Sequence, residues 1–256
     1  MNTERFQSAI LVETSRTRVL LDTGGGLELV SRLARAGVEP ASLGHIFLSH
    51  RHLDHIGGLE PLLITVGVDA FRRGEPPQPI RVYATEDTAT AVRTALGVLD
   101  ASGAILLCAK QLTWVTPPTG EAVSVVDGVT LTLVPVDHLP PGGGAAGSVL
   151  DVGGRRIVYS GDTRPSAELT EAARGAELLV HEVGGLDAYA KRVHLPGHAT
   201  AGEAGRIAAA AGVRALALTH VPLSATVALD ELVAEARQFA GAANVFAAED
   251  GLAVEV

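Results

Sequence analysis

Residues 47–59 read FLSHRHLDHIGGL and place His50, His52, Asp54 and His55 within six positions. The run His45-Ile46-Phe47-Leu48 leads in as a strand, and Gly57-Gly58 leads out. Three imidazoles and a carboxylate this close together repel one another or compete for protons unless something holds them. A divalent cation does so, because His and Asp are preferred ligands of zinc and its neighbours.

Working outward, further metal-competent residues stand where strands are expected to end. A strand over 129–136 runs into Asp137-His138, one over 155–160 into Gly161-Asp162-Thr163, and one over 215–219 into His220. Strand ends at one edge of a sheet converge, so scattered residues can complete a single site. The candidate ligands are then His50, His52, Asp54, His55, His138, Asp162 and His220. Seven ligands are too many for one tetrahedral ion and suit two ions that share a carboxylate, with water between them.

The rest of the chain alternates strands with helices. Hairpins are expected over 8–22 and 121–136, the second turning at Asp127-Gly128, and over 148–160 through Gly153-Gly154. Apolar spacing predicts helices over 27–36, from 58 to about 65, and over 87–99, 167–174, 200–211 and 228–240. Thr85 is placed to cap the third of these, and Thr200 with Glu203 forms a capping box. Residues 66–79, with their Gly and Pro and with Arg72 and Arg73, read as a loop over the site, and 139–147 (LPPGGGAAG) as another. Residues 103–120 show no clear pattern. With no internal repeat and no linker, residues 1–256 are expected to form one layered α/β domain.

Composition narrows the class. Net charge −9 argues against a general polyanion-binding surface. The single cysteine, Cys108, excludes an internal disulfide and a multi-cysteine metal site, and is expected to be a small buried side chain. The first residues, MNTERFQSAI, lack the pattern of a signal peptide, and no stretch is apolar for the ~18 residues of a membrane helix. A cytoplasmic protein without membrane association is the expectation. His45 and His194 are expected to be structural or solvent-exposed.

The pattern HxHxDH at His50–His55, followed at a distance by His138, Asp162 and His220, resembles the metallo-β-lactamase superfamily over nearly the whole chain. The resemblance implies a four-layer αββα sandwich with two metals at one edge, zinc in the first instance, with manganese or iron as substitutes. His50, His52 and His138 would hold the first metal, Asp54, His55 and His220 the second, and Asp162 would bridge them. The main zinc β-lactamases carry a cysteine where Asp162 stands, and the THTPGH signature of glyoxalase II has no match around His138. YSGDTRP (159–165), LVHEV (179–183) and His198-Ala199-Thr200 are similar instead to motifs of the ribonuclease Z group. That likeness implies a proton relay in which Glu182 orients His198, with Asp54 orienting the attacking water.

Two departures bear on the substrate. The resemblance implies a long tRNA-gripping arm between His138 and Asp162, yet only residues 139–161 fill that interval. His220 is followed by Val221-Pro222-Leu223, where the group usually carries a Ser and an Arg. An N-terminal strand with a Gly-Thr turn is also implied and has no counterpart before Phe6. The expectation is a dinuclear zinc hydrolase acting on small phosphodiesters, with tRNA an unlikely partner and a homodimer in keeping with similar proteins. Sulfate esters, lactones and β-lactams are alternatives, as is tRNA 3′-processing. A non-catalytic sensor on this fold should have lost ligands, and none is lost. Arg72, Arg73 and Arg164 are candidates for anion contact.

Overall fold

The structure, a computed structural model, describes residues 7–99, 111–139, 144–221 and 228–256. Cys108 and the centre of the 139–147 segment lie outside these residues. The described chain falls into two compact units, 7–117 and 118–256.

The first unit is built on a five-stranded sheet in sequence order: β1 (Ile10–Glu13), β2 (Arg18–Leu21), β3 (His45–Phe47), β4 (Ile80–Tyr83) and β5 (Leu112–Val115). The hairpin of β1 and β2 is antiparallel; its turn is tied by the Thr14 hydroxyl, which accepts from the N–H groups of Arg16 and Thr17. The remaining pairs are parallel, so chain must return between strands. Helices α1 (Glu28–Arg35), α2 (Leu53–Ile56), α3 (Leu59–Arg73) and α4 (Glu86–Leu99) do this. Leu20, Ile46 and Val82 from the sheet, and Leu48 just after β3, pack with Leu29, Leu33, Leu62, Val66 and Val92 from the helices.

The expected loop over 66–79 is corrected here, because α3 continues to Arg73. Leu59, Leu62, Leu63, Val66 and Ala70 are buried at helical spacing. Burial of several such side chains, at roughly 1.5–3 kcal/mol for each large one, outweighs the ~1 kcal/mol cost of Gly67 in the helix. Gly74 then stops the helix in the left-handed conformation, φ 69°. Arg73 pairs with Asp69 at 2.7 Å on the outer surface.

The second unit carries a seven-stranded sheet. Its strands are β6 (Ala122–Val126), β7 (Val129–Pro135), β8 (Ala146–Val152), β9 (Arg155–Tyr159), β10 (Leu178–Glu182), β11 (Ala215–Thr219) and β12 (Asn244–Ala247), neighbours in that order. β6 to β9 form an antiparallel meander, and β9 to β12 run parallel. Two antiparallel steps separate β7 from β9, so these strands point the same way as β10 and β11. The residues that follow β7, β9 and β11 therefore emerge at one edge.

Helices α5 (Ala167–Ala172), α6 (Ala190–His194), α7 (Ala201–Ala211) and α8 (Leu229–Phe239) accompany this sheet. Leu179, Val183, Leu216, Leu218 and Val245 pack with Ala201, Ala204, Ala208, Leu232 and Ala236. Small alanines bring helix close to sheet, which is how a chain with 4% aromatics closes its core. The capping box at Thr200 and Glu203 is present as expected. Among the described residues no helix is long and apolar enough to cross a membrane.

Candidate metal centre

In the first unit β2 and β3 run parallel, with Leu21 opposite Phe47, so Asp22 and Ser49 leave the sheet side by side. Asp22 is fully buried. Its Oδ1 accepts from Ser49 N–H at 2.7 Å, and its Oδ2 accepts from the Ser49 hydroxyl at 2.7 Å and from His55 Nδ1 at 2.7 Å. Ser49 has one hydroxyl proton, and Asp22 takes it; Ser49 Oγ is left to accept from His50 Nδ1 at 3.0 Å. The network thus assigns the proton of both His50 and His55 to Nδ1, the tautomer in which Nε2 can serve a metal.

His50 Nε2 lies 2.9 Å from His52 Nδ1, two nitrogens that a cation can share by displacing a proton. Asp54 Oδ2 stands 3.9 Å from His55 Nε2. The Gly57-Gly58 pair also gains a reason. A Cβ on Gly58 would overlap the Thr23 carbonyl, so glycine lets the start of α3 press against the Asp22 turn. Thr23 completes that contact by donating from both N and Oγ1 to the His55 carbonyl.

In the second unit the edge predicted by strand direction gathers His138, Asp162 and His220. Asp162 Oδ2 lies 3.3 Å from His220 Nε2, 3.8 Å from His138 Nε2 and 3.9 Å from His198 Nδ1. Ligand atoms of Asp162, His198 and His220 all fall within 4.8 Å of one another. His138 Nδ1 donates to the Gly197 carbonyl at 2.9 Å, which again leaves Nε2 for a ligand role. Gly197 has φ 97°, and a Cβ there would come within 2.7 Å of His138 Nδ1, so only glycine fits.

Glu182, the last residue of β10, is fully buried. Its Oε1 accepts from Thr163 N–H at 3.0 Å, Ala199 N–H at 3.2 Å and His198 Nδ1 at 3.0 Å. Burial, and then the Asp162 carboxylate, push the Glu182 carboxyl well above the usual range, against the opposing pull of His220 and the two N–H groups. The pair expected as a relay is therefore in hydrogen-bond contact, with His198 half-buried and its Nε2 facing away from Glu182.

The only non-glycine residues with positive φ among those described are Asp22 (58°) and His220 (53°). Such conformations cost on the order of 1–2 kcal/mol each and collect at functional sites. The structure also settles several secondary expectations. His194 pairs with Glu203 at 2.9 Å, and His45 Nδ1 lies 3.0 Å from the Tyr83 hydroxyl, so both are structural. Arg164 directs its guanidinium to the Asp137 carboxylate and to the carbonyls of His194 and Leu195. Asp22, Ser49 and Gly197 escape a reading by local spacing; only the position of Asp22 at a strand end, before Thr23-Gly24-Gly25-Gly26, hints at its part.

Residues 17–221 match the family described as the β-lactamase superfamily domain. The chain belongs to that superfamily. It is 34% identical over 251 residues to a protein named ribonuclease Z from Mycobacterium avium (strain 104), covering 93% of this chain and 88% of the relative. This puts it in the ribonuclease Z-like branch. The metallo-β-lactamase fold protein YhfI from Bacillus subtilis has a TM-score of 0.74 at 23% identity, covering 96% of this chain and 90% of that one. The short form of human tRNase Z has a TM-score of 0.73 at 20% identity, covering 97% and 92%. The fold is thus the metallo-β-lactamase α/β fold expected from the motifs, and the protein is a hydrolase with His/Asp clusters suited to a metal.

One expectation is overturned. Net charge and the short interval between His138 and Asp162 make tRNA an unlikely partner by sequence, yet relatives over nearly the full length are named ribonuclease Z. The error has a physical origin. Net charge describes the whole chain and says little about one local surface.

Proposed function

We propose that the chain is a two-metal phosphodiesterase. His50, His52 and His138 would hold one ion and Asp54, His55 and His220 the other, with Asp162 available to both. Zinc is the first choice, since the donors are imidazole nitrogens and carboxylates. Both half-sites support the fit, because His50, His55 and His138 have their Nδ1 protons already committed elsewhere. When bound, the metals would lower the pKa of water and neutralise charge on the attacked phosphoryl group. Asp54, half-exposed at the start of α2, orients the attacking water.

The observation that carries the reading is the contact of Glu182 with His198. With cations beside Asp162 offsetting the charge that helps push the Glu182 carboxyl up, an ionised Glu182 on Nδ1 would fix the imidazole and support its protonated form, leaving Nε2–H to protonate a leaving alkoxide. Such a donor is needed where an alkoxide leaves, as in RNA cleavage.

The named relatives favour an RNA substrate, with precursor tRNA as the test. A second reading, small phosphodiesters, draws on the short connection of residues 136–145 between β7 and β8. Both are checked together: zinc is removed with a chelator and restored, and cleavage of precursor tRNA and of a small chromogenic phosphodiester is followed. About two zinc per chain and activity lost and regained with them are expected. Undiminished turnover after metal removal ends the proposal, and the relative rates choose the substrate.

A further inference from the structure

Arg164 follows Asp162 by two positions, and its contacts form a closed circuit within the second unit. Its N–H donates to the Asp137 carbonyl at 2.9 Å, pairing the two residues as an isolated bridge. Its Nε donates to the His194 carbonyl at 2.8 Å, and Nη2 lies 3.5 Å from the Leu195 carbonyl. Nη1 reaches Asp137 Oδ1 at 3.2 Å and the Asp137 carbonyl at 3.5 Å. One planar fork therefore ties the residue before His138 to the end of α6, where the segment leading to His198 begins.

That segment closes the circuit from the other side. Gly197 N–H donates to the His194 carbonyl at 3.0 Å and His198 N–H to the Val193 carbonyl at 3.2 Å. The Gly197 carbonyl then receives the His138 Nδ1 proton, and His198 Nδ1 reaches Glu182. No side chain fits between them, because a Cβ on Gly197 would lie 2.7 Å from His138 Nδ1 and 2.8 Å from the His138 carbonyl oxygen.

We infer that Arg164 is a positioning residue that couples two tasks: presenting His138 Nε2 to a metal and aiming His198 at the leaving group. The inference rests on the metal and proton-donor roles proposed above. The backbone carbonyls matter more than the ion pair. The Asp137 side chain is 62% exposed, and a screened pair of this kind contributes about 0–1 kcal/mol. Carbonyls of His194, Leu195 and Asp137 are reached together only by donors in a fixed fork, which lysine lacks.

The test compares the parent with Arg164→Lys, Arg164→Met and Asp137→Asn. Amide hydrogen exchange at Gly197 and His198 is measured in metal-free protein, and zinc affinity by competition with a chelator. Both Arg164 variants are expected to exchange these amides faster and to bind zinc about 10-fold more weakly or worse, lysine giving no rescue. Asp137→Asn should stay near the parent in both. Unchanged exchange and zinc affinity in the Arg164 variants, or an equal loss in Asp137→Asn, overturns the inference. A parent that bound no zinc would defeat the proposed function instead, while the exchange comparison in metal-free protein would still decide the clamp.

Discussion

The two half-sites solve one problem by different means. In the first unit, a buried side chain orients the histidines: Asp22 fixes His55 directly and His50 through Ser49. In the second, main chain does so, because His138 is held by the Gly197 carbonyl. A carboxylate can be deleted by one substitution, whereas a carbonyl can only be displaced. The first half should therefore fail at a single residue, and the second should fail by loss of loop geometry.

The sharpest way to break this contrast is Asp22→Ala. It strips acceptors from Ser49 N–H, the Ser49 hydroxyl and His55 Nδ1 in a fully buried place. The expected cost is about 3 kcal/mol, together with zinc stoichiometry cut to one ion or none. Urea unfolding of metal-free protein and metal analysis check the two parts. Full zinc content in Asp22→Ala would refute the claim that this carboxylate governs the ligands.

Next in size is Glu182→Gln, which keeps the shape of the side chain and removes its charge. Turnover should fall about 100-fold with zinc content unchanged, because His198 loses the carboxylate that supports its protonated form. A parallel fall in zinc would instead make Glu182 a support for Asp162, and unchanged turnover would make it structural.

What could be read from sequence follows the same divide. Locally spaced features were legible: the cluster at His50–His55, the capping box at Thr200, and the tight turns at Gly128 and Gly153-Gly154. Asp22 was not, since it meets Ser49 across 27 residues and His55 across 33. Gly197 meets His138 across 59 residues through a carbonyl, a group every residue possesses. Composition also misled over 66–79, where Gly67 and Gly74 drew attention from the spacing of Leu62, Val66 and Ala70. The strand-end rule succeeded within the second unit because strand direction, unlike side-chain partnering, follows from the order of hairpins and crossovers.

The smallest expected effect concerns His181, next to Glu182 on β10 but on the opposite face of the strand, the one that carries Leu179 and Val183 into the helix-side core. His181 is fully buried; its Nδ1 donates to the Glu182 carbonyl at 2.7 Å, and its Nε2 has no protein partner among the described residues. Burial depresses its pKa below 6.5, against the weaker opposing effects of that hydrogen bond and of Glu203. The folded chain therefore resists a proton that the unfolded chain accepts. Above 6.5 both states are neutral and His181 adds no pH dependence. As pH falls below 6.5, the unfolded state binds the extra proton and stability drops, with a limiting slope of about 1.4 kcal/mol per pH unit until the folded pKa is reached. Urea midpoints of the parent and His181→Asn at pH 7 and pH 5 isolate this group, because every other histidine is common to both proteins. The parent should lose more stability between the two pH values than the variant. Identical losses would mean that the buried imidazole is accommodated in its charged form, and the helix-side face of β10 would then tolerate a charge that its neighbours Leu179 and Val183 give no means to solvate.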